Sequence, residues 1–477
     1  MTTSITARYP QRIAWATLLA AFVTFCLLMA GIAWAINWVV FDSTIDLRTT
    51  VKVSRGTIGY TAPNDTERVV RDRYPVQTGD TVRTDELSQG YITIDDPLND
   101  DQVLATIQMF GGSSVILERA SRPRFGLGDN PYSVLLTDAF GKFDVTVSSR
   151  LEREFRLEIR GNNYSVRLDH EGYYTLQFGV DGVNVTVQRG QAVVIDKDNE
   201  AKLIEATEPI EKWAFRKNEA PKVISILINL LDNPYFLQGA PEGDDVLDVW
   251  GCQEDRSGET RSNDSAITDP RGLHERVFFQ DRFTLHFKRT GSEPVYPHYS
   301  GCKQTASTFA ATAPDRSNII VFEIVNPVTK NINYMYYIDT SQYERLYVRA
   351  SVYIASQSLS GCGAEGTECA IMLKMPFKNA GNVQANTESA WIQGFYTYYD
   401  EGVGQVQCLG CQNHEHINGN SWYTFESSDF MLATEELRPV MIREIEVYAS
   451  GHLYNSYISE LSIIAEVPVV SAQSVEP

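Results

Sequence analysis

The first hydrophobic feature of the chain is an unbroken apolar run from Ile13 to Phe41, in which Asn37 is the only strongly polar residue. A membrane-spanning helix needs about 20 such residues. A secretory signal has an apolar core of only about 7–15 residues, whereas this run continues past the one plausible cleavage site at Ala33–Ala35. The pattern predicts an uncleaved transmembrane anchor over residues 13–41.

The charges that flank the apolar run predict its orientation. Arg8 and Arg12 precede it, and Asp42 and Asp46 follow it. Because positively charged flanks stay on the cytoplasmic side, residues 1–12 are expected to be a cytoplasmic tail. The protein is then a single-pass protein of the cell membrane, with its N-terminus inside and the bulk of the chain extracytoplasmic.

Apolar and polar residues alternate in short segments from about residue 45 to residue 200, with turn sequences between them. Alternation with period two, interrupted by Gly, Asn and Asp, is typical of consecutive β-hairpins. This pattern predicts an all-β domain over 45–200, and its clearest segments are Tyr91–Asp95, Val103–Phe110, Phe143–Ser149, Phe155–Arg160, Tyr164–Asp169, Tyr173–Val180 and Val183–Gln188.

The spacing of apolar residues changes between residues 201 and 245. Pro221 can occupy a first helical turn, and Ile224, Leu227, Ile228 and Leu231 have the spacing of one helix face. A short helical linker is therefore predicted for 201–245, with its apolar face packed on a β-domain rather than lying on a membrane surface.

Period-two alternation returns from residue 246 to residue 468, in longer strands with irregular loops. This predicts a second β-domain, a two-sheet sandwich, followed by a C-terminal tail at 469–477. The predicted fold class is therefore mainly β, with an N-terminal transmembrane helix, a β-domain, a helical linker and a C-terminal β-sandwich.

The stretch Arg73–Ile94 joins an apolar strand, a Gly-Asp turn and a Val-Arg-Thr step. It resembles the FecR-type (ferric-citrate regulator-like) extracytoplasmic domain over about residues 51–198. The resemblance implies a membrane-proximal domain of the sensing type, often in contact with another protein, and a bacterial source. Signalling members carry a cytoplasmic region before the span, whereas twelve residues precede Ile13, so a transcriptional signal is not expected. The matching residues are Val76, Gly79, Asp80, Val82, Arg83, Thr84 and Ser88.

The segment Ile442–Ile464 has two alternating strands joined at Gly451. It resembles the last strands of galactose-binding-like and carbohydrate-binding jelly rolls, and the resemblance extends loosely over 246–468. It implies a binding module rather than any particular ligand. Many jelly rolls of unrelated function share this ending. Its apolar filler residues are Ile445, Val447, Ile458, Leu461 and Ile463.

Two strand-like segments in this region carry candidate ligand-binding residues. In the first, Tyr347, Arg349 and Tyr353 share the face opposite the apolar residues, and in the second Trp391 and Tyr399 share a face. Sugar rings stack on aromatic side chains, so these faces are candidate glycan platforms. The alternative is that most of these rings pack in the core or against a second sheet.

Six of the seven cysteines lie in the C-terminal half, whereas Cys26 lies in the apolar run. An even number in an exported chain indicates disulfides, and proximity in the sequence suggests the pairs Cys252–Cys302, Cys362–Cys369 and Cys408–Cys411. The last pair has two alternatives: a metal site with His414 and His416, and a redox-active Cys-x-x-Cys.

Composition and motifs limit the function classes. A net charge of −20 argues against nucleic acid as a partner. No nucleophile elbow, P-loop or zinc-protease motif is present in the sequence, and no cofactor is predicted. The leading hypothesis is a non-enzymatic, membrane-anchored binding protein for a glycan or an envelope protein. The rivals are an anchored carbohydrate-active enzyme and a structural envelope or surface-layer scaffold.

Overall fold

The structure, a computed structural model, is dominated by β-strands after one N-terminal helix. It describes residues 10–99, 102–125, 129–151, 153–198, 200–237, 249–254, 273–289, 298–308, 318–325, 329–358, 361–363, 366–383, 387–397 and 413–469. The helix α1 spans Pro10–Asn37 and ends in a π-helical turn at Trp38–Asp42. Its length and composition are those of a helix that can cross a membrane.

Eighteen strands follow the helix in the first half of the chain. They are β1 (Thr44–Asp46), β2 (Arg48–Arg55), β3 (Ile58–Thr61), β4 (Arg68–Val70), β5 (Arg73–Pro75), β6 (Thr81–Thr84), β7 (Gln89–Asp95), β8 (Val103–Met109), β9 (Ser114–Pro123), β10 (Tyr132–Val147), β11 (Phe155–Gly161), β12 (Tyr164–Leu168), β13 (Gly172–Gly179), β14 (Gly182–Arg189), β15 (Gln191–Ile195), β16 (Ala201–Glu205), β17 (Ile210–Arg216) and β18 (Lys222–Asn229).

Two sheets that share strand β10 form the first sandwich. The N-terminal half of β10 pairs with β9 and β11 in one sheet, which we call the front sheet, and its C-terminal half pairs with β8 and β13 in the other, which we call the shared sheet. Gly141, with φ of 97°, lies where the strand passes between the sheets. Alternate residues of both sheets, such as Leu157 and Leu176, form one buried core.

Fourteen more strands are described in the second half. They are β19 (Gly251–Glu254), β20 (Leu273–Phe279), β21 (Arg282–Arg289), β22 (His298–Thr305), β23 (Ile319–Val325), β24 (Ile332–Asp339), β25 (Arg345–Gln357), β26 (Ile371–Lys378), β27 (Ser389–Tyr396), β28 (His414–His416), β29 (Trp422–Glu426), β30 (Met441–Ile442), β31 (Glu444–Gly451) and β32 (Tyr454–Pro468). A 3₁₀ turn spans Phe430–Leu432.

The second sandwich packs part of the shared sheet against a third sheet, which we call the end sheet. The end sheet has the order β19-β22-β31-β26-β30-β24-β23, with β27 and β28 added at β26. Buried residues of β25 and β32, such as Val348 and Leu461, form a second core with Leu373 and Val447 of the end sheet. The predictions of a mainly β chain and a C-terminal sandwich are thus confirmed.

The predicted helical linker is wrong for residues 201–229, which form β16, β17 and β18. The run from Val223 to Ile228 is rich in β-branched residues, which favour strands. Both edges of β18 are hydrogen-bonded, one to β17 and one to β32. Tertiary pairing therefore overrides the helical spacing that the sequence suggests. Residues 239–245 lie outside the described part of the chain.

Strand β32 joins the two sandwiches into one continuous sheet. On one edge its N-terminal half pairs with β21 and its C-terminal half pairs with β18. Its other edge pairs with β25 along nearly its whole length, and β29 follows on the far side of β25. The shared sheet therefore runs from the first sandwich into the second without a break in pairing.

Two of the three predicted disulfides are confirmed. Cys252–Cys302 links paired residues of β19 and β22, with 4.0 Å between the Cα atoms, and Cys362–Cys369 closes a short loop with a Cα distance of 4.2 Å. Cys408 and Cys411 lie outside the described residues. The confirmed bridges fit an extracytoplasmic location, because disulfides persist in oxidising compartments.

A contact between β2 and the segment 415–418 also holds the two sandwiches together, and the half-buried His416 lies in that segment. Arg55 of β2 lies 2.9 Å from a carboxylate oxygen of Glu415, and the Asn418 side chain donates to the carbonyl of Val53 at 2.9 Å. Burial and the positive charge of Arg55 lower the pKa of His416. The folded protein therefore resists protonation of this imidazole.

Replacing His416 with glutamine should reduce the loss of stability at mildly acidic pH. Because the pKa of His416 is depressed in the folded state, protons bind preferentially to the unfolded chain below the ordinary pKa of about 6.5. The free energy of unfolding should fall as the pH is lowered from about 7.5 to about 5.5, and it should fall less in H416Q. Denaturant unfolding at both pH values measures the free energy of unfolding. The R55Q variant should also lose less stability than wild type, because the charge of Arg55 contributes to the lowered pKa of His416. Equal losses in wild type and H416Q would contradict the assignment.

Candidate binding cleft

The polar faces of the two halves of the shared sheet point towards each other. In β8, β10, β13 and β14 the residues that alternate with the first core are polar, and several are buried, including Thr106, Gln108 and Thr186. The opposing face belongs to β25 and β32, where Arg349 and Glu460 are buried. The curved sheet therefore encloses a polar interior between the two sandwiches.

This interior opens into a cleft of about 300 Å³, which we call the junction cleft. One wall comes from the first sandwich and the other from β25, β29 and β32. Most of the side chains that line the cleft are polar, and some of them are charged, whereas the two cores of the protein are lined by apolar side chains. The lining residues are Lys142, Thr175, Gln177, Asn184, Thr186, Gln188, Ile210, Lys212, Leu227, Asn229, Tyr235, Arg345, Tyr347, Arg349, Glu426 and Ile464.

Strand alternation explains why these side chains converge. Asn184, Thr186 and Gln188 alternate along β14 with Val183, Val185 and Val187, which lie in the first core. The valines pack inside the first sandwich, so the polar residues project from its outer face. Since β13 and β14 form a hairpin closed at Gly179 and Gly182, the polar residues of both strands stand side by side.

Arg349 forms the ionic floor of the junction cleft. Its Nη2 donates to Oδ2 of Asp144 at 2.7 Å, and its Nε donates to Oε1 of Glu460 at 2.8 Å. The Arg349 residue is only 6% exposed. Asp144 belongs to the first sandwich and Glu460 to the second, so one buried guanidinium links the two. A small cavity of about 20 Å³ adjoins this group, about the room that one water molecule needs.

A second ion pair lies in the wall of the cleft. The Nζ of Lys142 is 2.5 Å from Oε2 of Glu426. Burial disfavours the charged carboxylate, but the positive charges of Lys142 and Arg349 outweigh it, and the pKa of Glu426 is lowered. Glu426 is therefore ionised and held in place at neutral pH.

Tyr347 is the aromatic residue of β25 that faces the cleft. Its ring lies beside Arg345, whose guanidinium carbon is 5.5 Å from the ring centroid. Burial raises the pKa of Tyr347, and the negative charge of Glu426 adds to the effect, so the phenol stays protonated. Its hydroxyl has no hydrogen-bond partner among the residues that the structure describes. Tyr347 thus combines a ring face with a free donor in the cleft.

An aromatic cluster also lies between the two sandwiches. Tyr353 and Trp422 pack with Tyr91 of the first sandwich. The ring centroids of Tyr353 and Trp422 are 5.4 Å apart. Phe279 stacks on Tyr457 at 4.1 Å beside them. The cluster is apolar and densely packed, so it stabilises the junction between the sandwiches.

The structure brings two of the five predicted ligand-binding residues together in the cleft. Tyr347 lines its wall and Arg349 its floor. Tyr353 is buried in the aromatic cluster, and Trp391 packs on Phe425 and Phe430 of the second core. Tyr353 and Trp391 therefore pack inside the protein, as the alternative to a glycan platform predicts. Tyr399 lies outside the described residues.

The two histidines of the predicted metal alternative have different partners in the structure. His414 and His416 lie on β28, which pairs in parallel with β27. His416 contacts the ring of Tyr396, with 5.6 Å between the centroids, whereas the Nε2 atom of His414 is 2.8 Å from the carbonyl oxygen of Gly366. The other two members of that set, Cys408 and Cys411, lie outside the described part of the chain.

Sequence reasoning did not identify the wall formed by the first sandwich. Lys142, Gln177 and Asn184 lie on the polar face of the predicted all-β domain, for which no contact with the second β-domain was predicted, and Lys212 lies in the segment that was predicted to be a helical linker. The available signal was the regular run of amide and hydroxyl residues on that face. Its burial, however, depends on a second sandwich that the local pattern does not reveal.

No family model matches the chain, and no curated protein matches it. Among solved structures the chain is similar to TmCBM61 in complex with β-1,4-galactotriose, at 9% identity and a TM-score of 0.23, over 50% of this chain and 98% of that one. It is similar to the family 11 carbohydrate-binding module from Clostridium thermocellum in complex with a β-1,3-1,4-mixed-linked tetrasaccharide, at 12% identity and a TM-score of 0.22, over 48% and 94%.

The chain is also similar to a structure that describes the promiscuous specificity of carbohydrate-binding modules from the β-sandwich superfamily. The identity is 9% and the TM-score is 0.21, and the match covers 70% of this chain and 94% of that one. These neighbours are β-sandwich carbohydrate-binding modules. A FecR-type domain is not shown by any of the comparisons, so that resemblance stays a prediction.

Proposed function

We propose that the protein is a membrane-anchored, extracytoplasmic binding protein that takes a glycan in the junction cleft. The observation that carries this proposal is the cleft itself, about 300 Å³ in volume and lined by amide, hydroxyl and charged side chains around Tyr347. Small-molecule sites begin at about this volume, on the order of one or two sugar rings.

The chemistry of the lining supports a sugar in particular. Gln177, Asn184 and Thr186 offer donors and acceptors for hydroxyl groups. The ring of Tyr347 offers an apolar face on which a pyranose can stack, and its hydroxyl is free to donate. Lys142 and Lys212 are each ion-paired, with Glu426 and Glu466, so the cleft is not an open cationic site for an anionic ligand.

The arrangement of carboxylates supports binding without catalysis. Glycoside hydrolysis commonly needs two carboxyl groups, one of which has a raised pKa so that it can act as an acid. Glu426 is the only carboxylate among the described residues that line the cleft, and its pKa is lowered. We therefore propose a non-enzymatic role, with glycan turnover as the alternative that product analysis would detect.

Replacing Tyr347 with alanine should weaken glycan binding by about 10-fold to 100-fold, because the stacking face and a hydrogen-bond donor are both lost. Full-length protein in detergent micelles, screened on an array of bacterial and plant polysaccharides, would identify a ligand. Titration calorimetry with the best hit then compares wild type, Y347A and Y347F. We expect Y347F, which keeps the ring, to bind more tightly than Y347A.

Tyr334→Ala is the matched control, because Tyr334 is 52% exposed on β24 of the end sheet, away from the junction cleft. This variant should bind as wild type does. Weaker binding in Y334A with unchanged binding in Y347A would move the glycan site to the β23–β24 face. Released products with any hit would replace the binding proposal with an enzymatic one.

A further inference from the structure

A group of potential metal ligands lies in the end sheet, outside the junction cleft. The Sγ atoms of Cys362 and Cys369 and a ring nitrogen of His414 all lie within 4.8 Å of one another. Both cysteines are fully buried, and the pair packs with Met372, Tyr396 and Tyr448. Two thiolates and one imidazole are ligands that Zn²⁺ prefers.

The hydrogen bonding of His414 is that of a metal ligand. Its Nε2 is 2.8 Å from the backbone carbonyl oxygen of Gly366. A histidine that ligates a metal commonly donates its other ring N–H to a carbonyl, which fixes the ring and its tautomer. The Nδ1 atom is then unprotonated, and it is buried without a hydrogen-bond partner among the described residues.

The backbone around the group leaves room for the close approach of its members. Gly394 pairs with His414 in the parallel β27–β28 ladder. A β-carbon at Gly394 would lie 2.5 Å from Sγ of Cys369 and 2.7 Å from the His414 ring, so any other residue would push the sulfur and the imidazole apart. The strand register therefore holds the ring against the cysteine pair.

A second group has the same composition but different bonding. Cys252, His274 and Cys302 also lie within 4.8 Å of one another. Here Nδ1 of His274 lies 3.3 Å from the hydroxyl of Ser300, so that ring nitrogen already has a polar partner. The two groups thus differ in whether the histidine offers a nitrogen that lacks a partner.

We propose that Cys362, Cys369 and His414 bind one Zn²⁺ ion when the two cysteines are reduced. A phosphine reductant and one water convert the disulfide to two thiols and phosphine oxide. The ion then displaces both thiol protons and accepts the lone pair of His414 Nδ1. The loop between Cys362 and Cys369 therefore has two closed forms, a disulfide in oxidising surroundings and a zinc site in reducing ones.

Zinc binding by the reduced full-length chain tests this proposal. The background variant C26S/C408S/C411S, in detergent and a phosphine reductant, removes the three cysteines that lie outside both groups. Competition with a chromophoric chelator should show one tight zinc site, and H414A should weaken it by roughly 100-fold or more. H274A should leave the affinity within about threefold of the background protein.

A rescue variant and a spectroscopic probe separate ligation from a folding defect. H414C supplies a thiolate in place of the imidazole, so it should recover most of the affinity that H414A loses. Cobalt(II) in the same site should show sulfur-to-cobalt charge-transfer absorption, which C362S/C369S should abolish and H274A should keep. An unchanged affinity in H414A, an equal loss in H274A, or no zinc bound at one ion per chain would overturn the proposal.

Discussion

Replacing Arg349 with methionine should lower the free energy of unfolding by about 3–5 kcal/mol. The guanidinium is buried and lies between the carboxylates of Asp144 and Glu460, at 2.7 and 2.8 Å. Its removal leaves two buried negative charges facing each other with no cation between them. Because the two acids belong to different sandwiches, their repulsion acts directly on the junction. Urea unfolding of the full-length protein in detergent, followed by tryptophan fluorescence, measures the loss.

Arg345→Met is the matched control, since it removes the same charge four residues earlier on the same strand. Its side chain is 46% exposed and pairs with Glu466 at 2.6 Å. An exposed pair of this kind contributes about 0–1 kcal/mol. The triple variant R349M/D144N/E460Q, which has no charge at these three buried positions, should recover part of the stability lost in R349M. A loss in R349M no greater than that in R345M would show that the buried network does not stabilise the junction.

Removing the Cys252–Cys302 disulfide should cost about 4 kcal/mol, and removing Cys362–Cys369 about 2 kcal/mol. The bridges close loops with sequence separations of 50 and 7 residues. In the chain-entropy account the longer loop restricts the unfolded chain more strongly, so its loss stabilises the unfolded state more. The double variants C252A/C302A and C362A/C369A, unfolded in urea under the same conditions, give the two values.

Each double variant serves as the control for the other, because both replace a cysteine pair with alanines. Cys302, Cys362 and Cys369 are all buried. Each double variant should unfold at a lower urea concentration than wild type. Equal losses for the two pairs, or a larger loss for the shorter loop, would rule out loop length as the main determinant.

The strands were predictable where burial alternates regularly. The predicted segment Phe155–Arg160 lies within β11, and Tyr173–Val180 overlaps β13, because every second residue of each lies in the first core. The segment Lys222–Asn229 was assigned to a helix, since spaced isoleucine and leucine residues fit either period. Only its partners on both sides, β17 and β32, decide that it is a strand.

The candidate site was predictable only in part, for a physical reason. The alternation in β25 correctly separates the face of Tyr347 and Arg349 from the face of the second core. What covers that face depends on residues such as Asp144, which is 205 residues away in the sequence. No local pattern contains a contact of that range.

The pairing of β18 with β32 has a consequence for the chain during its synthesis. The paired residues Asn229 and Ile464 are more than 200 residues apart. During synthesis, which runs from the N-terminus, β18 emerges long before the strand that completes its edge. A hydrophobic strand with an open edge is a template for pairing with other chains. The nascent protein therefore passes through a stage in which this edge of β18 stays unpaired until β32 arrives.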